Sequence, residues 1–131
     1  MGLTTQQILA SIENGTTSLG IEFGSTRIKA VLTAEDNSPI ASGSHDWENR
    51  LEDGIWTYTL EDIWTGLQDS YAKMAEDVKE KYGVVLEKTG AIGFSAMMHG
   101  YMVFDAEGTL LVPFRTWRNT ITEEASEKLT K

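Results

Sequence analysis

One short run of the sequence places an acid, three small residues and a base in an order that suits phosphate binding. The run is Leu19-Gly20-Ile21-Glu22-Phe23-Gly24-Ser25-Thr26-Arg27-Ile28-Lys29. Its first half predicts a buried strand, and Gly24, Ser25 and Thr26 predict a tight turn into a second strand. Glycine lets the backbone approach a ligand closely, and hydroxyl and amide groups donate hydrogen bonds to phosphate oxygens. We therefore predict a polyphosphate site at this turn.

Charged residues flank the turn on both sides. Glu22 lies at the end of the first strand and can hold Mg²⁺, directly or through water, because Mg²⁺ prefers oxygen ligands and keeps several waters. Lys29 places a cation on the second strand. A plain β-hairpin with one charged strand end explains the same spacing about equally well. The residues of this run alone leave both interpretations open.

Three stretches together resemble the FGGY carbohydrate kinases, most clearly those of the xylulokinase type. The run around Glu22 resembles the first phosphate motif of the acetate and sugar kinase, Hsp70 and actin superfamily. Ile92-Gly93-Phe94-Ser95-Ala96-Met97-Met98-His99-Gly100 resembles the Met-His-Gly sugar-site loop of the family. Pro113-Phe114-Arg115-Thr116-Trp117-Arg118-Asn119 resembles the segment in which a tryptophan precedes a sugar-binding Asp by two. The resemblance covers residues 18–131 and keeps the order of the family.

The resemblance implies two groups of binding residues. ATP is expected at Glu22, Gly24, Ser25, Thr26 and Lys29, with Glu22 also the expected Mg²⁺ ligand. The sugar or polyol is expected at Met98, His99, Trp117, Arg118 and Asn119. A histidine can donate a hydrogen bond to a sugar hydroxyl or accept one from it, and an indole offers a flat face to sugar C–H groups. By residue type alone, a lone histidine or methionine is more often structural, and the match of His99 to the family loop favours function.

Three departures from the family pattern affect the expected substrate. Glu22 stands where the superfamily normally has Asp, and its extra methylene moves a bound metal further from the strand. Met97 stands where xylulokinases commonly have Gln. Asn119 replaces the Asp that follows the tryptophan, and Arg118 adds a guanidinium beside it, so we expect a substrate other than xylulose. Arg115 and Arg118 are equally well interpreted as solvated surface residues.

Sequence patterns predict the elements that position these residues. A short helix over 4–13 ends at Asn14-Gly15, and strands over 18–23, 27–33 and 40–47 form an antiparallel meander. A long helix begins after Thr59 and ends at Gly83, with one apolar face formed by Ile63, Leu67, Tyr71, Met74 and Val78. Further strands are predicted over 91–95, 101–104 and 109–112. A last helix is predicted from about Thr120, with Glu123 placed for a capping box. His45, Trp47, Trp56 and Trp64 are interpreted as fold residues.

Composition limits the classes of function. The 131 residues include 40% hydrophobic and 24% charged residues, typical of a globular protein. The 20 acidic and 11 basic residues give a net charge of −9, which disfavours nucleic acid and anionic membranes as partners. The absence of cysteine excludes disulfides and thiolate chemistry. No signal peptide or membrane helix is recognisable, so we expect a cytoplasmic protein.

The resemblance also implies a fold and an activity. The implied fold is α/β and ribonuclease-H-like, with a mixed five-stranded sheet, three of its strands antiparallel, and flanking helices. Residues 1–17 would form an N-terminal extension, and residues 18–131 the N-terminal part of the first kinase domain. The implied activity is transfer of the γ-phosphate of ATP to a sugar hydroxyl. The catalytic base and the second domain are expected beyond Lys131, so this chain alone is expected to be inactive.

Two alternatives from other functional classes stay open. An actin- or Hsp70-like ATPase switch explains the run from Glu22 to Lys29 but gives the Met98-His99-Gly100 loop no role. A non-catalytic binding module derived from a kinase accounts for the departures at Glu22 and Asn119. The oligomeric state is open, and a homodimer is compatible with the sequence.

Overall fold

The computed structural model describes residues 2–130, which fall into two compact units. Within the described residues, the first unit comprises residues 2–47 and 61–97, and the second comprises residues 48–60 and 98–130. The run around Glu22 lies in the first unit, and both predicted sugar segments lie in the second from Met98 onward. Each unit therefore contains one of the two predicted groups of binding residues.

The first unit begins with helix α1, Thr5–Asn14. Thr4 caps it in a capping box: the Gln7 amide donates to the Thr4 hydroxyl over 3.3 Å, and the Thr4 amide donates to the Gln7 side chain over 2.8 Å. Gly15 ends the helix with a φ of 69°, a conformation that glycine adopts without steric cost. The predicted short helix is confirmed with a shift of one residue.

A four-stranded mixed sheet follows in the order β3-β2-β1-β6. Strands β1 (Ser18–Phe23), β2 (Arg27–Thr33) and β3 (Pro39–Asp46) form the predicted antiparallel meander. Strand β6 (Ala91–Ala96) pairs parallel to β1. The mixed character of the sheet is confirmed, but it has four strands within the described residues where five were predicted.

The two faces of this sheet differ in chemistry because side chains alternate along each strand. One face contributes most of the core, with Leu19, Ile21, Ile28, Ala30 and Leu32 at 6% exposure or less. The opposite face holds Glu22, Lys29 and Ser44 in successive cross-strand register. The acid and the base of the predicted phosphate site therefore lie on the polar face.

Helix α2, Leu60–Tyr82, packs on the apolar face. Its buried residues are Gly66, Ser70, Met74 and Val78. A Cβ on Gly66 would lie 2.5 Å from the Ile28 Cδ1 atom, so the missing side chain lets the helix approach the sheet closely. The predicted face was wrong at Tyr71, which is 38% exposed. The buried stripe of α2 therefore combines the small residues Gly66 and Ser70 with the predicted Met74 and Val78.

The second unit contains a hairpin that the sequence patterns did not predict. Strands β4 (Arg50–Glu52) and β5 (Ile55–Thr57) pair antiparallel across an Asp53-Gly54 turn. Both turn residues have positive φ, 49° and 78°. An Asp-Gly pair between short strands is a strong signal for this turn type, and it could have revealed the hairpin.

Three local predictions for the second unit were wrong. The strands predicted over 101–104 and 109–112 are reduced to a single bridge between Phe104 and Leu110. The Asp105 carboxylate accepts from the amides of Glu107 and Thr109, which favours a turn over an extended ladder. Helix α3, Glu123–Leu129, starts later than predicted and has Thr122 as its N-cap with no side-chain hydrogen bond, so the capping box does not form.

No helix within residues 2–130 combines the length and the apolar content of a membrane span.

Candidate functional site

The turn between β1 and β2 is held by Trp47, at the end of the third strand. The Gly24 amide donates to the Arg27 carbonyl over 2.9 Å and closes the turn. The Trp47 amide donates to the Thr26 carbonyl over 3.1 Å, and its indole N–H donates to the Gly24 carbonyl over 2.8 Å. Ser25 and Thr26 at the tip are exposed. Hydrogen bonds from Trp47 thus fix the shape of the turn that was predicted to bind phosphate, while the tip of the turn faces solvent.

Gly24 is required for this shape. A Cβ at position 24 would lie 2.9 Å from the Arg27 carbonyl oxygen, which is closer than real Cβ contacts. The same carbonyl accepts the Gly24 amide. Any larger residue would therefore open the turn that presents Ser25 and Thr26.

Glu22 and Lys29 face each other across β1 and β2. The Glu22 carboxylate and the Lys29 ammonium are 4.0 Å apart, and both side chains are about half exposed, at 56% and 48%. Ser95 on β6 is the register partner of Glu22 on its other side. An open concavity of about 420 Å³ on this part of the sheet is lined by Gly20, Ile21, Glu22, Lys29, Val31, Gly93, Phe94 and Ser95.

The donor set around Glu22 fits a magnesium–phosphate complex better than a metal site built by protein alone. Residues 2–130 contain no group of three metal-ligating side chains. Mg²⁺ typically takes one or two carboxylates and completes its coordination with phosphate oxygens and water. A single exposed carboxylate beside a lysine matches that requirement, so Glu22 can hold the metal and Lys29 can balance phosphate charge.

The predicted sugar loop is fixed by aromatic packing in the second unit. Gly100 has a φ of 110°, and a Cβ there would overlap the Phe114 ring. Phe114 in turn contacts Tyr58, with ring centroids 5.8 Å apart in an edge-to-face arrangement. Burial raises the pKa of Tyr58, while a hydrogen bond with Asn49 and the charge of Arg118 oppose that rise. The Met98-His99-Gly100 loop therefore rests on an aromatic cluster, which the sequence patterns did not reveal.

His99 and Met98, which are neighbours in that loop, differ in their exposure to solvent. The Nδ1 atom of His99 is buried and has no hydrogen-bond partner among the described residues. A buried polar atom without a partner is uncommon in a folded protein and is a natural contact for a ligand or water. Met98 is fully exposed, so within this chain it forms no wall of an enclosed pocket.

The amide of Asn119 joins the third segment to strand β5. The Trp56 amide donates to the Asn119 Oδ1 over 2.8 Å, and the Asn119 Nδ2 donates to the Trp56 carbonyl over 2.7 Å. A further hydrogen bond of 3.0 Å runs from Nδ2 to the Thr116 carbonyl. The side chain that was predicted to bind sugar thus uses both of its polar atoms within the protein.

Arg118 lies against two indole rings. Its guanidinium carbon is 4.9 Å from the centroid of Trp56 and 5.7 Å from that of Trp117. Trp117 is 63% exposed and Thr116, just before it, is buried at 5%. Trp56 had been interpreted as a fold residue, and the contact across 63 positions of sequence to Asn119 is what brings it to the site.

The amino-acid sequence matches the model of the FGGY family of carbohydrate kinases, N-terminal domain, over residues 17–131. The chain belongs to this family. A search of curated proteins found no match.

Solved structures of carbohydrate kinases share the fold. A xyloylose kinase from Brucella ovis superposes with a TM-score of 0.68 at 22% identity, covering 86% of this chain and 23% of that one. Gluconate kinase from Lactobacillus acidophilus gives 0.69 at 21% identity, with 88% and 22% covered. Plasmodium falciparum glycerol kinase with ADP gives 0.66 at 21% identity, with 88% and 23% covered. The chain thus spans less than a quarter of the length of these kinases.

Proposed function

We propose that this chain is the N-terminal portion of an ATP-dependent kinase that phosphorylates a hydroxyl of a sugar or polyol. The proposal rests on the family match over residues 17–131. The fixed turn at Gly24, the Glu22–Lys29 pair and the unpartnered Nδ1 of His99 are consistent with it. Xyloylose, gluconate and glycerol, which appear in the names of similar structures, set the range of acceptors to test.

The residues of the first unit would bind and orient the nucleotide phosphates. Gly24 keeps the turn tight, so Ser25 and Thr26 at its tip can donate hydrogen bonds to phosphate oxygens. Lys29 would neutralise part of the phosphate charge, and Glu22 would orient the hydrated metal. Bound Mg²⁺ would supply the charge neutralisation that phosphoryl transfer requires.

The residues of the second unit would bind and orient the acceptor. His99 would hydrogen-bond a hydroxyl through its Nδ1 atom, which has no partner within residues 2–130. Gly100, which lies against the Phe114 ring, would hold the backbone of the loop next to His99 in place. Correct placement of the acceptor is a large part of catalysis in phosphoryl transfer, because the transition state needs positioning more than covalent chemistry.

The decisive experiment compares ADP release by the complete gene product and by the 131-residue chain. We expect the complete product to release ADP faster when its sugar is added, and the 131-residue chain to show no sugar-dependent release. The acceptor panel should include pentoses, hexoses, deoxysugars, polyols and sugar acids. Turnover indifferent to every acceptor would favour an actin-like or Hsp70-like ATPase, and an absence of turnover would favour a non-catalytic binding module.

His99 provides the residue-level arm of the same experiment. In the complete product, His99→Ala should lower kcat/KM for the sugar about 10-fold to 100-fold, since one hydrogen bond to a ligand group is lost. The KM for ATP should change little. An equal loss for both substrates would indicate misfolding rather than a role for His99 in acceptor binding.

A further inference from the structure

The guanidinium of Arg118 is held in place but has no acidic partner. Among the described residues, the ion pairs include those of Lys29 with Glu22, Lys73 with Asp69 and Lys81 with Asp77, and the Arg118 guanidinium forms none. This is notable in a chain with 20 acidic and 11 basic residues, where carboxylates are plentiful. A cation kept apart from these acids is available to an anion from outside the protein.

The two indoles and the Asn119 amide preorganise that cation. Trp56 and Trp117 lie within 6 Å of the guanidinium carbon, at 4.9 and 5.7 Å, which is the range of cation–π attraction. Trp56 is itself tied to the Thr116–Asn119 turn by three hydrogen bonds from 2.7 to 3.1 Å, two with the Asn119 side chain and one from the Thr116 amide. A side chain already held in one arrangement loses less conformational entropy on binding, so it binds a ligand more tightly.

The geometry also restricts the kind of ligand. Contacts with ring faces leave the in-plane N–H groups of a guanidinium for other partners. These N–H groups form a planar fork that matches the two oxygens of a carboxylate or of a phosphate. The Arg118 side chain is exposed, so a ligand can reach that fork, and a neutral hydroxyl cannot use it fully because it offers a single oxygen and no charge.

We propose that the acceptor substrate has an anionic oxygen group, a carboxylate or a phosphate, and that Arg118 binds it. This inference rests on the proposed kinase function and specifies its substrate class as a sugar acid or a sugar phosphate. Asn119 is then a positioning residue, because its amide holds Trp56 and the turn that presents Arg118. His99 remains the residue that contacts a hydroxyl of the same acceptor.

The test uses the complete gene product with three sets of acceptors: neutral sugars and polyols, sugar acids of the same carbon number, and sugar monophosphates. We expect the highest kcat/KM with one of the two anionic sets, and the set that responds distinguishes carboxylate from phosphate. Arg118→Gln should lower kcat/KM for that acceptor about 100-fold, mainly through KM, and that of the neutral analogue less than about 3-fold. Arg118→Lys, which keeps the charge and loses the fork, should lie between.

Arg115→Gln is the matched control, because it removes the same charge at a position three residues before Arg118. The Arg115 side chain is exposed and contacts neither indole. It should leave every kinetic constant unchanged. A neutral sugar as the best acceptor, with no effect of Arg118→Gln, would overturn the inference and leave the kinase function intact. A rise in the KM for ATP alone would overturn it too, since the cation would then serve the nucleotide.

Calorimetry without nucleotide separates failure of the inference from failure of the kinase function. If no acceptor supports turnover, the proposed function is contradicted. Binding of an anionic sugar to the same protein that is lost in Arg118→Gln would still support the assignment of Arg118. No binding of any anionic sugar, or a variant that changes only thermal stability, would overturn it.

Discussion

At the scale of single residues, Asn119 shows how one side chain can resemble a ligand contact in the sequence and serve the fold in the structure. The family segment has Asp at this position, and an Asp offers only acceptors when ionised. Here the amide nitrogen donates to two carbonyl oxygens, those of Trp56 and Thr116. The difference between Asn and Asp is therefore a difference in hydrogen-bond direction.

Restoring the family residue should harm this chain. Asn119→Asp removes both donated hydrogen bonds and places a carboxylate next to two carbonyl oxygens. We expect the free energy of unfolding of the second unit to fall by about 2 kcal/mol, the usual cost of leaving a part-buried group unsatisfied. Urea denaturation followed by tryptophan emission measures it, because Trp56 lies at the changed contact.

Asn37→Asp is the control for that substitution. Asn37 is exposed in the β2–β3 turn, and the same change of amide to carboxylate should alter stability by less than about 0.5 kcal/mol. Equal stability of the two variants would mean that the Asn119 hydrogen bonds contribute nothing to the fold.

At the scale of elements, the contact between β3 and α2 depends on glycine. A Cβ on Gly43 would overlap backbone atoms of Ser70 and Met74. Because both are helix backbone atoms, no change of side-chain rotamer relieves the overlap. Gly43→Ala should therefore destabilise the first unit by about 3 kcal/mol. Circular dichroism during denaturation measures this loss, and Gly93→Ala, with no atom within 4 Å of its Cβ, should change it by less than about 0.5 kcal/mol.

The contact between β3 and α2 also makes the stability of the first unit depend on pH. A hydrogen bond from Lys81 and one from the Ser42 amide lower the pKa of Asp77 below its usual value. Hydrogen bonds from Lys73 and His45 do the same to the pKa of Asp69. Both aspartates join α2 to β3, since Ser42 and His45 lie on that strand.

The sign of the effect follows from proton binding. Because the folded state has the lower pKa, the unfolded state binds more protons as the pH falls through the usual aspartate range. Stability should therefore be constant near neutrality and should decrease on acidification through that range. Asp77→Asn should flatten this decrease in a series of urea titrations at descending pH. An unchanged slope would show that the Asp77 contacts are already lost in solution.

The elements that could be predicted from sequence are those with a clear period or a clear cap. A buried run located β1, alternation located β2, and Gly15 and Gly83 located the ends of both helices of the first unit. The strand predicted over 101–104 does not form, because a short apolar run becomes a strand only where a neighbouring strand pairs with it along its length, and here the pairing is limited to the Phe104–Leu110 bridge. The Gly66 and Ser70 stripe of α2 was missed because apolar periodicity ignores small residues, although these set the closest approach.

The geometry of the candidate site was predictable only in part, because sequence patterns relate only residues that are close along the chain. Glu22, Gly24 and Lys29 lie on one hairpin, so local spacing was enough to bring them together. Trp56 and Asn119 are separated by 63 positions, and no periodicity relates them. Their contact follows from the packing of the second unit, where the unpredicted Asp53-Gly54 hairpin presents Trp56.

At the scale of the whole chain, the open edge of the sheet exposes large apolar side chains. Strand β6 is an edge strand, and all six of its residues are exposed. Ile92 and Phe94 project from it at 57% and 67% exposure. An edge with free backbone groups and large apolar side chains favours pairing with another strand. The net charge of −9 opposes association of two copies, and salt screens that repulsion.

We therefore expect the 131-residue chain to self-associate with increasing concentration, and more strongly at high salt than at low salt. Phe94→Lys should reduce the weight-average mass in analytical ultracentrifugation towards that of a monomer, because it places a charge on the edge strand. Val85→Lys is the matched control: it removes an apolar side chain of 69% exposure outside any strand and should leave the association unchanged. If both variants weakened association equally, general hydrophobicity and not the β6 edge would cause it. If association weakened with salt, ion pairs between copies would be the cause, and the β6 edge would have no part in it.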